Sequence, residues 1–313
     1  MNPKTTLVTG ATGATGGETI KLLRARGDSV RALAHRRDER SKLLEDMEVE
    51  VVDGDFLDLE AIRAALRGTR AAYFCYPIRP GIAQATAIFA QAAKEAGIEG
   101  IVNMSQISSR SDSPSHAAQD HWLSEQVFDW SGVATAHLRP TFFAEWLLWI
   151  APMIRVGLIR GPWGTGKHAP ITAHDMAQVI VGILDNPEQH RAKTYPLYGP
   201  VEYTYPEIAK LLSRVLGKEI QYQQVDFDTY WSVASSGSKY LPAGHTGASM
   251  YGEFEVAPER RGESFISQHL RHVTTVDHQN GLFSGTNDFV EKIGGKPPTS
   301  LEQFIRDNRE VFV

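Results

Sequence analysis

Residues Thr5-Thr6-Leu7-Val8-Thr9-Gly10-Ala11-Thr12-Gly13-Ala14-Thr15-Gly16-Gly17 decide how this chain folds. Thr5–Thr9 is β-branched and apolar, a strand pattern. From Gly16 to Arg26 the apolar residues Ile20, Leu22 and Leu23 recur at helical spacing, and Gly27 stops the run. Between them stand Gly10, Gly13 and Gly16. Glycines at that spacing, between a strand and a helix, let the strand turn sharply, let the backbone approach a pyrophosphate and let the helix pack close to the strand. The helix N-terminus then offers free N–H groups and a positive dipole to phosphate. Gly10, Thr12, Gly13, Ala14, Thr15 and Gly16 are therefore expected to bind a dinucleotide.

The rest of the first half repeats the unit. Strand patterns fall at Ser29–Ala34, Val49–Val52, Ala71–Tyr76, Ile101–Met104 and Val133–Leu138. Helical patterns fall near Asp38–Glu45 and at Asp58–Leu66, Ile82–Ala96 and Ser115–Ser131. Such regular alternation predicts an α/β fold, a doubly wound parallel sheet. After Arg139-Pro140 the pattern changes. Helix signals stand at Ala173–Leu184, Tyr205–Leu216 and Leu301–Arg309, strand signals at Thr194–Leu197 and Glu219–Gln224, and a loop at 235–249. We expect a dinucleotide-binding domain over 1–155, with returning elements near 173–198. A smaller α/β substrate domain is expected over 156–313, with an insertion near 232–285.

Composition narrows the function. The 313 residues carry 32 Lys plus Arg against 37 Asp plus Glu, a net charge of −5. That balance is poor for a general nucleic-acid binder. With 42% hydrophobic residues the chain is in the globular range. No apolar run approaches the ~18 residues of a membrane span, and the N-terminus runs straight into a strand. A cytoplasmic protein acting on a small molecule, without membrane or nucleic acid, is the expectation. The single cysteine, Cys75, excludes an intramolecular disulfide and a cysteine-rich zinc site.

The end of the second strand selects the ribose. A carboxylate there would bond the 2′-hydroxyl of NAD. This strand ends in His35-Arg36-Arg37, and guanidinium groups suit a 2′-phosphate through two parallel bonds. NADP(H) is thus expected to be preferred, with NAD(H) as the second candidate; the alternative is a solvated basic loop. Asp55 and Phe56 follow the third strand, where an adenine would lie, although Phe56 equally suits a core position. Tyr76 and Pro77 follow the fourth strand, and Thr141, Phe142 and Phe143 the sixth, at the sheet edge where ligands bind. Phe142 and Phe143 are expected to wall a flat ring, against plain packing between domains. Trp146 and Trp163 are assigned to the same pocket or to the core, and Gln106 to the substrate.

Thr9–Gly16, Gly54-Asp55-Phe56-Leu57-Asp58, Gly132–Pro140 and Gly295-Lys296-Pro297-Pro298-Thr299-Ser300-Leu301 together resemble the NmrA-like group of atypical short-chain dehydrogenases/reductases. The resemblance implies a Rossmann domain with a small C-terminal substrate domain. It also implies either NAD(P)H-dependent reduction, for example of quinones, or dinucleotide sensing without turnover through a protein partner. Reductases of the wider superfamily carry Tyr-x-x-x-Lys on the helix after the fifth strand. In the family register those positions are Ala117 and His121 here. No tyrosine occurs between Tyr76 and Tyr195, and no lysine lies on this helix. His121 is left to contact cofactor or substrate or to give a proton, since imidazole titrates near neutrality; the alternative is a core histidine. Ser108 is a weaker catalytic candidate, against a capping role. On the same helix Ala117, His121 and Phe128 form one stripe and Leu123, Val127 and Trp130 another, so it is expected to be covered on two sides. An oxidoreductase passing hydride to a small conjugated acceptor fits the missing tyrosine, and so does an inactive sensor.

Two signals are discounted. Gly161–Lys167 has the spacing of a phosphate loop, but His168 replaces the Ser or Thr and Pro170 blocks a helix. His269 and His272 lack a carboxylate set at ligand spacing, so no metal site is expected.

Overall fold

A computed structural model describes residues 5–35, 37–235 and 265–313, with the side chains of Val233 and Ser235 excepted. Its first half alternates β1 (Thr5–Val8), α1 (Ala14–Ala25), β2 (Val30–Ala34), α2 (Glu39–Asp46), β3 (Glu50–Asp53) and α3 (Leu59–Leu66). Then come β4 (Thr69–Phe74), α4 (Ile82–Ala96), β5 (Gly100–Met104), α5 (His116–Ser131) and β6 (Thr135–Pro140). After β6 follow α6 (Trp146–Trp149), α7 (Ala151–Arg155), β7 (Leu158–Gly161), α8 (Ala173–Asp185), β8 (Lys193–Leu197), α9 (Tyr205–Leu216), β9 (Gln221–Gln224) and α10 (Phe227–Ser235). The last helices are α11 (Phe265–His272), α12 (Phe289–Gly294), α13 (Leu301–Asp307) and α14 (Arg309–Phe312).

The main sheet has the order β3-β2-β1-β4-β5-β6-β8, parallel throughout. Strand order reverses between β1 and β4, and the crevice beyond their carboxyl ends is the ligand position of such sheets. Burial on both faces explains the near-continuous apolar strands, such as Ala71-Ala72-Tyr73-Phe74 with every residue at 0% exposure. One face packs Ile20 and Leu23 of α1 with Met176, Ile180 and Ile183 of α8. The other packs Ile62 of α3, Phe89 of α4 and Phe128 of α5 against Phe74. A separate apolar core joins residues of α6, α7, α9, α13 and α14. Beside it β7 and β9 form a two-stranded parallel sheet.

Local chemistry sets the element ends. Asp38, Asp58, Ser115, Thr172 and Thr204 each accept a backbone N–H as helix N-caps. Glycines in the left-handed region close α4, α5 and α9, at Gly97, Gly132 and Gly217.

Two expectations change. The Leu123/Val127/Trp130 stripe is covered only in part: Val127 packs against the core, whereas Leu123 is 39% and Trp130 73% exposed. In the second half β7, the short α6 and α7, and α12 are additional to the expected elements. The anticipated loop at 235–249 lies outside the described residues beyond Ser235. The discounted phosphate-loop stretch is a packed turn. A Cβ at Gly161 would overlap the Trp163 ring, and one at Gly166 would meet His278. No helix among the described residues is long and apolar enough to cross a membrane.

Candidate active site

The glycine turn closes β1 against β4. Thr9 Oγ1 accepts the Cys75 N–H at 2.8 Å, and Thr15 Oγ1 pairs with the buried Tyr73 hydroxyl at 2.8 Å. The three glycines serve different ends. Gly10 has φ +60, the left-handed region that glycine adopts without strain. A Cβ on Gly16 would stand 2.2 Å from the Gly10 carbonyl oxygen, so Gly16 is fixed by packing. Gly13 is the N-cap of α1, without a side-chain cap, and Thr12, Gly13 and Ala14 are exposed. The other N-caps named above are closed by side chains; α1, like α4 with Gly81, has a glycine N-cap without one. That is the donor arrangement a pyrophosphate needs.

Arg36 lies outside the described residues. Arg37 is not free for a phosphate as expected: it donates to Asp53 Oδ2 at 3.1 Å and the Val51 carbonyl at 2.9 Å, and also meets Glu45. Asp53 leads the interactions that raise its pKa. His35 is exposed, 3.5 Å from Asp55, whose Oδ1 accepts the Leu57 N–H. Phe56 meets Tyr76 edge-on at 5.2 Å, and the Tyr76 hydroxyl donates to the Pro80 carbonyl at 3.3 Å; Pro77 beside it is half-buried.

The loop after β5 and the first turns of α5 carry a set of buried polar side chains. Ser108 is 0% and His121 4% exposed. Neither Ser108 Oγ nor either ring nitrogen of His121 has a hydrogen-bond partner. Buried polar atoms without partners are costly and call for an explanation, and a ligand that bonds them supplies one. Gln106 Nε2 donates to the Ala117 carbonyl at 3.3 Å, along the same helix. Burial pushes the His121 imidazole down to about 4, so it is neutral at pH 7. The expectation of a ring titrating near neutrality is corrected accordingly.

Phe142 and Trp163 are not at an open edge. Phe142 is 2% exposed, stacked on Phe283 at 4.2 Å and beside His278 at 5.3 Å. Trp163 stacks on Tyr205 at 3.8 Å. Both belong to the second core, around the buried pair His168 Nδ1 and His278 Nε2, 3.0 Å apart. The alternative of interdomain packing describes Phe142. Thr141 Oγ1 donates to the Phe283 carbonyl at 3.2 Å. Phe143 and Trp146 stay half-buried, with ring centroids 6.0 Å apart.

Several buried residues had no role assigned from the sequence. Glu125, 2% exposed, accepts from Ser105 and Ser109 and from Arg139 Nε at 2.8 Å. It ties β5, α5 and β6 into one rigid edge. Glu145 Oε1 accepts the Ala173 N–H at 2.8 Å, and burial raises its carboxyl to about 7. Arg110, His269 and Asp277 lie alongside. Glu125 marked the Lys-x-x-x-Glu register that placed His121, but its pairing with Arg139 was not expected. Among the described residues no group of three or more His, Cys, Asp or Glu side chains is placed to hold a metal.

The strand order, the glycine turn and the uncapped α1 define a Rossmann-type α/β protein. The chain belongs to the NmrA-like family, whose model matches residues 2–275. It is 28% identical over 309 residues to an NAD(P)H azoreductase from Xenophilus azovorans, covering 98% of each chain. It is 35% identical over 227 residues to the (4-alkanoyl-5-oxo-2,5-dihydrofuran-3-yl)methyl phosphate reductase of Streptomyces griseus, covering 71% of this chain and 77% of that one. A solved Escherichia coli NADPH-dependent quinone oxidoreductase, complexed with NADPH, superposes with a TM-score of 0.77 at 23% identity, over 97% of this chain and 99% of that one.

Proposed function

We propose that this protein is an NAD(P)H-dependent oxidoreductase that prefers NADP(H). In this reading it reduces a small conjugated acceptor such as a quinone, without a Tyr-Lys pair. The observation that carries the reading is the pairing of an uncapped, exposed glycine N-terminus on α1 with unpartnered Ser108 and His121 at the same sheet edge. The relatives named above, reductases by name, support it.

The bound cofactor would supply hydride. Thr12 and Ala14 would hold its pyrophosphate through backbone N–H groups, with Gly13, whose own N–H bonds the Gly10 carbonyl, allowing its close approach. Asp55, Phe56, Tyr76 and Pro77 lie along the edge assigned to its adenosine half, with His35, Arg36 and Arg37 toward the 2′-phosphate. His121, neutral, would donate or accept one hydrogen bond and orient the ribose, and Ser108 Oγ would bond the acceptor or the nicotinamide. Ala117 in place of a tyrosine would put a smaller side chain beside the acceptor. Phe143, Trp146 and Gln106 are assigned to its walls, and Thr141 to the backbone edge. A quinone-type product anion takes its proton from water, which fits the absence of a protein acid. Glu125 and Arg139 hold the floor rigid. The division near residue 155 is kept as the boundary between the cofactor and substrate parts.

The test is NADPH oxidation by the purified protein against quinones, azo dyes, enones and imines. Turnover with at least one class and faster use of NADPH than NADH is the expected result. Tight NADPH binding with no turnover on any class would favour the sensor reading instead.

A further inference from the structure

Helix α11 comes from the far end of the chain and lies over the carboxyl ends of β4 and β5. Ile266 and Leu270 pack with Phe227 against Ile78, just after β4. Gln268 Nε2 donates to the Pro114 carbonyl at 2.7 Å, and its Oε1 accepts the His116 N–H at 3.2 Å. His269, 3% exposed, pairs its Nδ1 with Ser115 Oγ at 2.8 Å. This helix therefore covers the N-terminal end of α5, the helix that carries His121.

It continues into a π-helical turn, Val273–Asp277. Such turns are uncommon and concentrate at functional sites. Asp277 ends the turn with a side chain only 4% exposed, and Arg110 meets it with both terminal nitrogens, at 2.8 and 3.1 Å. One of those nitrogens also donates to the Ser108 carbonyl at 3.2 Å. His272 Nε2 stands 3.1 Å from the same Asp277 carboxylate. One guanidinium thus joins the backbone of an unpartnered serine to the segment that covers it.

We propose that Arg110 is a positioning residue: its bidentate pair with Asp277 seats α11 and the π-turn over the start of α5 and the Ser108 loop and so shapes the acceptor site. The inference rests on the oxidoreductase reading. A two-point guanidinium–carboxylate pair fixes orientation as well as distance. With Asp277 buried, removing Arg110 leaves a carboxylate without its main partner, which weakens the seat rather than the Rossmann sheet.

The test compares Arg110→Ala, Asp277→Asn and Arg110→Lys by hydrogen exchange, NADPH titration and steady-state kinetics with a benzoquinone. Exchange over 265–277 is expected to speed up about tenfold or more in the first two variants, as local opening becomes easier, while α1 and β1 keep their protection. The benzoquinone KM should rise about fivefold or more and NADPH affinity stay within about twofold, with Arg110→Lys recovering part of both effects. Unchanged exchange in Arg110→Ala and Asp277→Asn overturns the proposal. So does an NADPH affinity that falls as far as the acceptor KM rises, which would make the pair a general brace. If Arg110→Ala does not fold, Asp277→Asn decides alone. A wild type without turnover on any acceptor removes the oxidoreductase reading and the acceptor-site claim that rests on it.

Discussion

Arg37 already has two carboxylate partners and a carbonyl, so a 2′-phosphate would have to compete for it. Arg36 has the same charge one residue earlier. Arg36→Ala should therefore weaken NADPH about tenfold, and Arg37→Ala less than about threefold, on the scale of a charge-assisted bond. Fluorescence titration of both variants checks this; a larger loss at Arg37 would contradict it. His121→Ala should cost NADPH binding about 1 kcal/mol, one hydrogen bond. Because burial holds its imidazole at about 4, the pH profile of turnover between about pH 6 and 8 should keep its shape in His121→Ala. A limb of the wild-type profile that disappears in the mutant would make His121 the acid after all. The position of His121 was legible from the helix register. Its neutrality was not, because the helix that buries it bonds α5 through His269, 154 residues from Ser115.

At the scale of elements, the β1–turn–α1 unit was the most readable part of the chain, since strand, glycines and helix are contiguous. Gly13→Val tests its role. The new Cβ would stand 3.2 Å from the Gly10 carbonyl, which is tight, and the branches would extend over the exposed helix N-terminus. Loss of NADPH binding in a protein that keeps its circular dichroism spectrum is expected; normal affinity would place the cofactor elsewhere. Helix α5 was half-read. Its buried stripe ends in Phe128, in edge contact with Phe74 at 5.2 Å. Phe128→Ala should lower unfolding free energy by about 3–5 kcal/mol, measured by urea titration. Little change would mean that the helix is not anchored there. The other stripe misled because periodicity shows that residues share a face, not whether anything packs on it. Phe142 misled likewise: its stacking partner Phe283 is remote in sequence, and no local pattern announces the pairing.

Across the whole molecule, buried histidines should make stability depend on acid. His121, His168, His269 and His278 all lie below the ordinary imidazole value of 6.5, chiefly through burial. As pH falls below about 6.5 the unfolded chain takes up protons first, so stability is complete above that value and declines toward about pH 4. His121 alone accounts for on the order of 3 kcal/mol. Glu145, raised from 4.5 to about 7, acts oppositely: its contribution is present below about 4.5 and is lost as pH rises through 7. Melting temperatures should fall from about pH 6.5 to 4, with Glu145 offsetting part of the histidine loss until about pH 4.5; a flat profile across the acid range would show the histidines to be hydrated. The parallel doubly wound sheet followed from strand–helix alternation along the first half, whereas the second core, built from short helices and late segments, had no such regularity to read. The central claim, hydride transfer from NADPH, is tested most directly by anaerobic single-turnover mixing with a quinone, using NADPH deuterated at one or the other C4 position. The account predicts oxidation above the protein-free rate, slowed by deuterium at one of the two positions only. An oxidation rate equal to the protein-free control, or no dependence on which position is labelled, would contradict it.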